Sequence, residues 1–440
     1  MERFIRKEPS LNGMASILKA WNPWWAEKSV SKEKKGIERT NILNELLKLI
    51  EAKEILVLTG VRRSGKSTLL YQTISKLIER KVNPENILYF NFDEPVAPND
   101  ANPIDFVYNS FLELNNPHGR KYVFFDEIQN IKEWERWIKK SYDLYGKDVK
   151  FILTGSNNSM LYDNLSKLLT GRILTKAIYP LSFEEFLIFN NVIVKDADMQ
   201  KTEIKHFLLK YISCGGFPEA VLEESEEIRA KRLEEYFNSI ILRDIVQPNN
   251  IREVAKLMEL AKYLITNNAC ILSYNNISKA IGLNITSLKE YLLFLENAYL
   301  LFQLNFFSYS LKETIMIQKP RKIYNIDNGM RNAVGFKFSR DEGRLAENIV
   351  FIELKRKGNE MYFWKEKGEV DFIIKHKDNS LTAINASYTD KIGERETAAL
   401  MEFKNSHKQA KKLIVITKDI EKKEGETEYI PLWKWLLQPN

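Results

Sequence analysis

The chain has 440 residues, room for about three domains at roughly 150 residues each. With 44% hydrophobic and 12% aromatic residues it can bury several cores, which excludes a mostly disordered protein. Lys and Arg number 66 against 59 Asp and Glu, and the net +7 permits nucleic acid or an acidic surface as partner without demanding either.

Only Cys214 and Cys270 and four scattered histidines occur, too few for a disulfide framework or a zinc site. The first 25 residues are too charged for a secretory signal. The most apolar run, 291–307, is interrupted by Glu296, Asn297, Gln303 and Asn305 and is too polar to span a bilayer. A cytoplasmic protein without a transmembrane segment is expected.

Four stretches follow along the chain. Residues 1–36 form an arm carrying Trp21, Trp24 and Trp25, of the kind that straps onto its own domain and buries its rings. Residues 37–190 alternate β-rich runs (54–59, 87–92, 122–126, 150–154, 173–179) with helical runs, most clearly 66–80 and 131–145. That alternation predicts an α/β fold with a parallel sheet of about five strands. Residues 191–330 read as mainly helical, with a strand-rich end. Residues 331–440 read as a separate α/β domain.

The first run, Ile55–Leu58, leads into Gly60-Val61-Arg62-Arg63-Ser64-Gly65-Lys66-Ser67, which fits G-x-x-x-x-G-K-[ST] at every position, and a helix begins at Thr68. Glycines let the backbone curl so that successive N–H groups face a phosphate at the positive end of a helix. Residues Gly60 to Thr68 are the expected nucleotide cradle, with Lys66 bridging the β- and γ-phosphates and Ser67 on Mg²⁺. A second strand, Tyr122-Val123-Phe124-Phe125-Asp126-Glu127, ends in two carboxylates. Asp126 is placed to hold Mg²⁺ and Glu127 to orient and deprotonate the attacking water, which argues for hydrolysis.

The extra strand 87–92 between these two indicates the P-loop class with an additional strand and a catalytic glutamate, to which AAA-type ATPases belong. In that class a polar residue at the tip of the next strand reads the γ-phosphate, and Thr154, Ser156 and Asn157 are candidates; a surface turn would use the same residue types. Arg172, before the last strand, is an arginine finger or a salt-bridge partner at a strand start. Arg62 and Arg63 contact phosphate or hold acidic neighbours of the loop.

These motifs, with Phe125-Asp126-Glu127-Ile128-Gln129, Tyr179-Pro180-Leu181-Ser182-Phe183, Gly215-Gly216-Phe217-Pro218-Glu219, Leu242-Arg243-Asp244-Ile245 and Ile323-Tyr324-Asn325-Ile326-Asp327-Asn328-Gly329, resemble the prokaryotic, largely archaeal, AAA-type ATPases with a C-terminal domain of unknown function. The resemblance covers nearly all of the chain after the arm, and it implies ATP rather than GTP.

Residues 277–283 and 284–296 read as two helices across a Gly282 turn, with 300–307 as a wing strand. Ile277, Ala280, Ile281, Leu283, Leu288, Tyr291, Leu292 and Leu295 have helix-turn-helix core spacing, and the similar region of the family is read as a winged helix. Its second helix is thin in base-reading residues.

The last domain is similar in outline to restriction-endonuclease-like PD-(D/E)xK nucleases, with Glu347, Glu369 and Asp371 as the acids. Asn385 stands where the second acidic ligand belongs, and Ser387 where the lysine belongs. A catalytically inactive scaffold that binds nucleic acid or a partner is expected, its acids solvated at strand ends in preference to holding a weak metal.

The expected function is Mg²⁺-dependent ATP hydrolysis coupled to a nucleic-acid- or protein-binding C-terminal half. The expected ligands are ATP and ADP, with double-stranded DNA, a protein and further copies of the chain as candidate partners. The alternatives are an ATP-gated DNA-binding protein with slow turnover and, behind it, a Mg²⁺-dependent DNA nuclease.

Overall fold

A computed structural model describes residues 11–94, 102–156, 169–308, 320–336 and 342–438. They form two compact units, one of Met1–Gly60 with Gly65–Ile178, the other of Val61–Ser64 with Tyr179–Asn440. No described helix is long and apolar enough to cross a membrane.

The first unit is built on five strands: β1 (Ile55–Thr59), β2 (Ile87–Asn91), β3 (Lys121–Asp126), β4 (Val149–Thr154) and β5 (Ile173–Ala177). Their order is β2-β3-β4-β1-β5, and every neighbouring pair is parallel. Strands β1 to β4 are almost wholly buried, which is why they read as continuous apolar runs rather than alternating ones. Helices Lys66–Glu79, Pro103–Asn115 and Trp134–Tyr145 lie between successive strands in the chain. In space β4 separates β1 from β3, and the extra strand β2 takes the edge. The five-stranded parallel sheet with these helices is the P-loop NTPase fold.

The arm is part of this unit's core. Trp24 and Trp25 are buried, and both indole N–H groups donate to the Ile87 carbonyl, at 3.2 and 2.8 Å. Asn22 clamps Tyr89 on the same edge, accepting from its N–H at 2.6 Å and donating to its carbonyl at 2.9 Å. The arm thereby covers outward-facing backbone groups that an edge strand otherwise leaves open to pairing. Lys150 is buried on β4, where its ammonium donates to the carbonyls of Leu49, Ala52 and Glu54 at the end of helix Thr40–Glu51. Burial pushes that ammonium down to about 8.

In the first unit two boundaries differ from expectation by two residues or more. The helix expected from residue 131 starts at Trp134, because the backbone turns left-handed at Glu133. The strand expected to reach Tyr179 stops at Ala177, and Ile178 adds only a bond from its N–H to the Thr59 carbonyl.

The second unit is helical through residue 297 and continues into an antiparallel pair, β6 (Leu301–Asn305) with β7 (Arg321–Asn325). Helices Tyr274–Ile281 and Ile285–Asn297 flank Gly282, which is left-handed at φ +69°. Of the expected core positions there, Ala280 is exposed and the other seven are buried. A mixed sheet follows: β8 (Glu360–Lys365), β9 (Glu369–Lys375), β10 (Leu381–Ser387), β11 (Ala410–Thr417), β12 (Lys422–Glu424) and β13 (Thr427–Pro431), in the order β12-β13-β11-β10-β9-β8.

The family glycines fall on one contact inside this unit. Buried Asp327 accepts from the Gly216 N–H at 2.6 Å and from the Met330 N–H at 2.9 Å, capping helix Asn328–Val334. A Cβ on Gly215 would sit 2.1 Å from the Asp327 carboxylate, and one on Gly329 would sit 1.9 Å from the Cys214 carbonyl. Burial raises the Asp327 carboxyl to about 6, even though backbone N–H groups draw it down.

Candidate functional site

The loop between β1 and helix Lys66–Glu79 has the conformation its glycines predict. Gly60 is at φ +138°, and a Cβ there would meet the Ile178 carbonyl at 2.1 Å. Gly65 is left-handed at φ +92° and forms the helix N-cap, while Arg63 also lies at positive φ. Such alternation turns backbone N–H groups toward one side, where a helix N-terminus adds positive potential. Lys66 is buried and its ammonium donates to the Gly60 carbonyl at 2.9 Å, so the cation spans the loop. Within the second unit, Arg62 lies 2.9 Å from Asp244 and Arg63 lies 3.7 Å from Glu219. Both loop arginines therefore have acidic partners, and the motif holding Asp244 has a structural reason.

The carboxylates at the end of β3 differ in surroundings. Asp126 is fully buried; one oxygen accepts from the Thr154 hydroxyl, and the other accepts from the Tyr89 phenol at 2.8 Å. Burial raises its pKa, with Glu127 adding to the rise, while hydrogen bonds from Ser67, Thr154 and Tyr89 pull it down. Ser67, in the first turn of the helix that follows the loop, thus acts on the Asp126 carboxylate. Both are hard oxygen donors of the kind Mg²⁺ takes alongside phosphate oxygens and water, so these residues fit the ion.

Glu127 has a left-handed backbone at φ +53°, uncommon for a residue with a side chain. Its N–H donates to Thr154 Oγ1 at 3.0 Å, and its carboxylate accepts from the Gln129 amide. Gln129 also donates to the Ser156 hydroxyl at 3.4 Å. Thr154 thus touches both acids and Ser156 reaches Gln129, whereas Asn157 lies outside the described residues. Arg172 pairs with Asp143 at 3.0 Å on the surface.

The C-terminal acids depart from expectation. Glu347, Glu369 and Asp371 are not solvated strand ends: all three surround Lys322 Nζ, at 3.0, 2.8 and 2.8 Å. Lys322 is 2% exposed and projects from β7, in the stretch expected to belong to the middle region. Tyr324, two residues on, donates to Glu347 at 2.7 Å. Asn385 fills the space of an acidic ligand as a structural amide, accepting from the Asp371 N–H and donating to Glu396.

Sequence reasoning missed Tyr89, Gln129 and Lys322. The signals were a hydroxyl inside the apolar run of β2, an amide two positions past Glu127, and a lysine and a tyrosine on one face of a buried strand.

Fold and loop together define a P-loop NTPase of the AAA type. Residues 52–187 match the AAA domain, residues 205–341 a domain of unknown function (DUF8612) and residues 342–435 another (DUF4143). An uncharacterised protein of Methanocaldococcus jannaschii, MJ1544, is 33% identical over 413 residues, 89% of this chain and 90% of that protein. An uncharacterised protein of Haemophilus influenzae is 31% identical over 414 residues, 91% and 99% of the respective chains. The chain belongs to the family of these two proteins, which thus has archaeal and bacterial members. Among solved structures, the Walker-type ATPase PABY2304 of Pyrococcus abyssi is similar at 15% identity and a TM-score of 0.42, over 70% of this chain and 97% of that one. The Thermotoga maritima RuvB Holliday junction branch migration motor is similar at 16% identity and a TM-score of 0.28, over 63% and 93%.

Proposed function

We propose that the chain binds ATP with Mg²⁺ at the loop Gly60–Thr68 and hydrolyses it. The observation that carries this reading is that Asp126, Glu127, Thr154 and Ser156 gather at the ends of the neighbouring strands β3 and β4, next to β1, which leads into the loop holding Lys66 and Ser67. The backbone N–H groups of the loop and the Lys66 ammonium bind the β- and γ-phosphates. Ser67 and Asp126 hold Mg²⁺, which when bound neutralises charge on the phosphate oxygens. Glu127 orients a water and accepts its proton, while Gln129 and the Thr154 hydroxyl fix the glutamate's position. Thr154 and Ser156 sense the γ-phosphate. Arg172, committed to Asp143, is left out of the catalytic set.

Hydrolysis is coupled to a macromolecular partner, double-stranded DNA or a protein, bound by the C-terminal half in a cytoplasmic setting where ATP and Mg²⁺ are abundant. The ammonium of Lys322 inside the acid cluster supports a scaffold there rather than a nuclease.

The test is ATP turnover by wild type, Lys66→Ala and Glu127→Gln, each with and without double- and single-stranded DNA. Lys66→Ala is expected to lose ATP binding. Glu127→Gln is expected to retain binding and to lose about a hundredfold or more in turnover. Wild-type protein that binds ATP and never turns it over would leave a nucleotide-gated binding protein instead.

A further inference from the structure

Asp126 is held from a direction that the phosphate-loop pattern does not contain. Its carboxylate offers about four lone-pair positions, and a metal can be oriented only if the rest of the group cannot rotate. The Thr154 hydroxyl holds one oxygen and the Tyr89 phenol holds the other, at 2.8 Å. Tyr89 is itself over-determined. Its ring lies 4.6 Å from that of Tyr71, on the helix that follows the phosphate loop, and 5.6 Å from that of Trp21. Asn22 takes both backbone polar groups of Tyr89. A phenylalanine at position 89 would serve packing equally well, since both ring contacts of Tyr89 need only a ring. The hydroxyl is what packing leaves unexplained.

We infer that Tyr89 is a positioning residue for the metal-binding acid, and that the N-terminal arm acts on the nucleotide site through it. The inference rests on the ATP- and Mg²⁺-binding reading above. The phenol locks the carboxylate plane of Asp126 so that its remaining lone pairs face the Ser67 side, and the Asn22 clamp keeps β2 in the register that presents the phenol. Tyr89 touches neither nucleotide nor metal.

The experiment measures the affinity of a fluorescent ADP in saturating Mg²⁺ and in EDTA, and takes the ratio of the two. Tyr89→Phe removes one oxygen and keeps the ring. Losing a hydrogen bond to a charged, buried carboxylate is expected to lower the ratio about tenfold, or to one if the wild-type ratio is smaller than ten. The affinity in EDTA stays at the wild-type value. A purely structural role would weaken binding in both conditions and leave the ratio alone, and that result overturns the inference.

Asn22→Ala leaves the phenol in place but releases its strand edge, and should lower the ratio in the same direction by at least twofold. Should Tyr89→Phe fail to fold, Asn22→Ala decides by the same two outcomes. An unchanged ratio beside a wild type that binds ADP with Mg²⁺ refutes the positioning role alone. Wild-type protein that fails to bind ADP, or binds it without regard to Mg²⁺, overturns the ATP reading and this inference with it.

Discussion

Replacing Lys322 with methionine removes the ammonium from among Glu347, Glu369 and Asp371 while nearly keeping the side-chain volume. The wild-type lysine is 2% exposed and has all three carboxylates within 3.0 Å. Burial opposes its charge, but Asp371, Tyr324, Glu347 and Glu369 outweigh that and raise its pKa well above the usual value. Burial, with Asp371 adding to it, lifts Glu347 to about 7 even with the ammonium present.

Removing one partner of a buried ion pair costs about 3–5 kcal/mol, because the other charge is left without compensation. For a second unit of about 260 residues, unfolding entropy is about 0.55 kcal/mol/K, so the melting transition of that unit should fall by about 5–9 °C. The sign with pH follows from the acids. Glu347 lies above its unfolded value of about 4.3 and loses a lowering partner with the ammonium, so the folded variant binds more protons between the two values. The destabilisation is therefore full above the folded Glu347 value and relieved as pH falls through it. Differential scanning calorimetry of wild type and Lys322→Met at pH 8 and pH 5.5 reads both effects. A drop of less than about 1 °C at pH 8, or an equal drop at both pH values, would refute the claim that Lys322 is the counter-charge of this cluster.

Asp327 offers a second pH test. Its folded pKa of about 6 lies above the unfolded value near 3.9, so this carboxyl's contribution to wild-type stability should fall by about 2 kcal/mol as pH rises from 4 to 7. Asp327→Asn lacks that component, so the gap between the two proteins in urea titrations should narrow by that amount; parallel curves would count against it. Thr154→Val removes the hydroxyl that donates to Asp126 and accepts from the Glu127 N–H. Turnover should fall about a hundredfold with ADP affinity within a few-fold of wild type, and unchanged turnover would exclude Thr154 from the site.

The phosphate loop and the strand carrying Asp126 and Glu127 could be read from sequence because each is contiguous. A strand run, a glycine pattern and a helix start lie within a few residues, and their chemistry follows from backbone geometry alone. Strand and helix ends came within a few residues for the same reason, since burial imposes a period on neighbouring positions. The strand β12 has three residues, all exposed, too short for any period to emerge.

Other features depend on residues far apart in the chain. Asn22 meets Tyr89 across 67 positions, Lys322 meets Asp371 across 49, and Gly216 meets Asp327 across 111. In sequence each is a single polar residue in an apolar or glycine-rich setting, and nothing local says which distant group will satisfy it. Burial supplies the requirement, since a polar group removed from water must find a partner. Only the folded chain supplies the partner. The chemistry of phosphate binding was therefore written in one short segment. The tertiary structure decided what orients Asp126, and why the C-terminal acids enclose an ammonium, because both depend on which buried polar groups are brought within 3 Å.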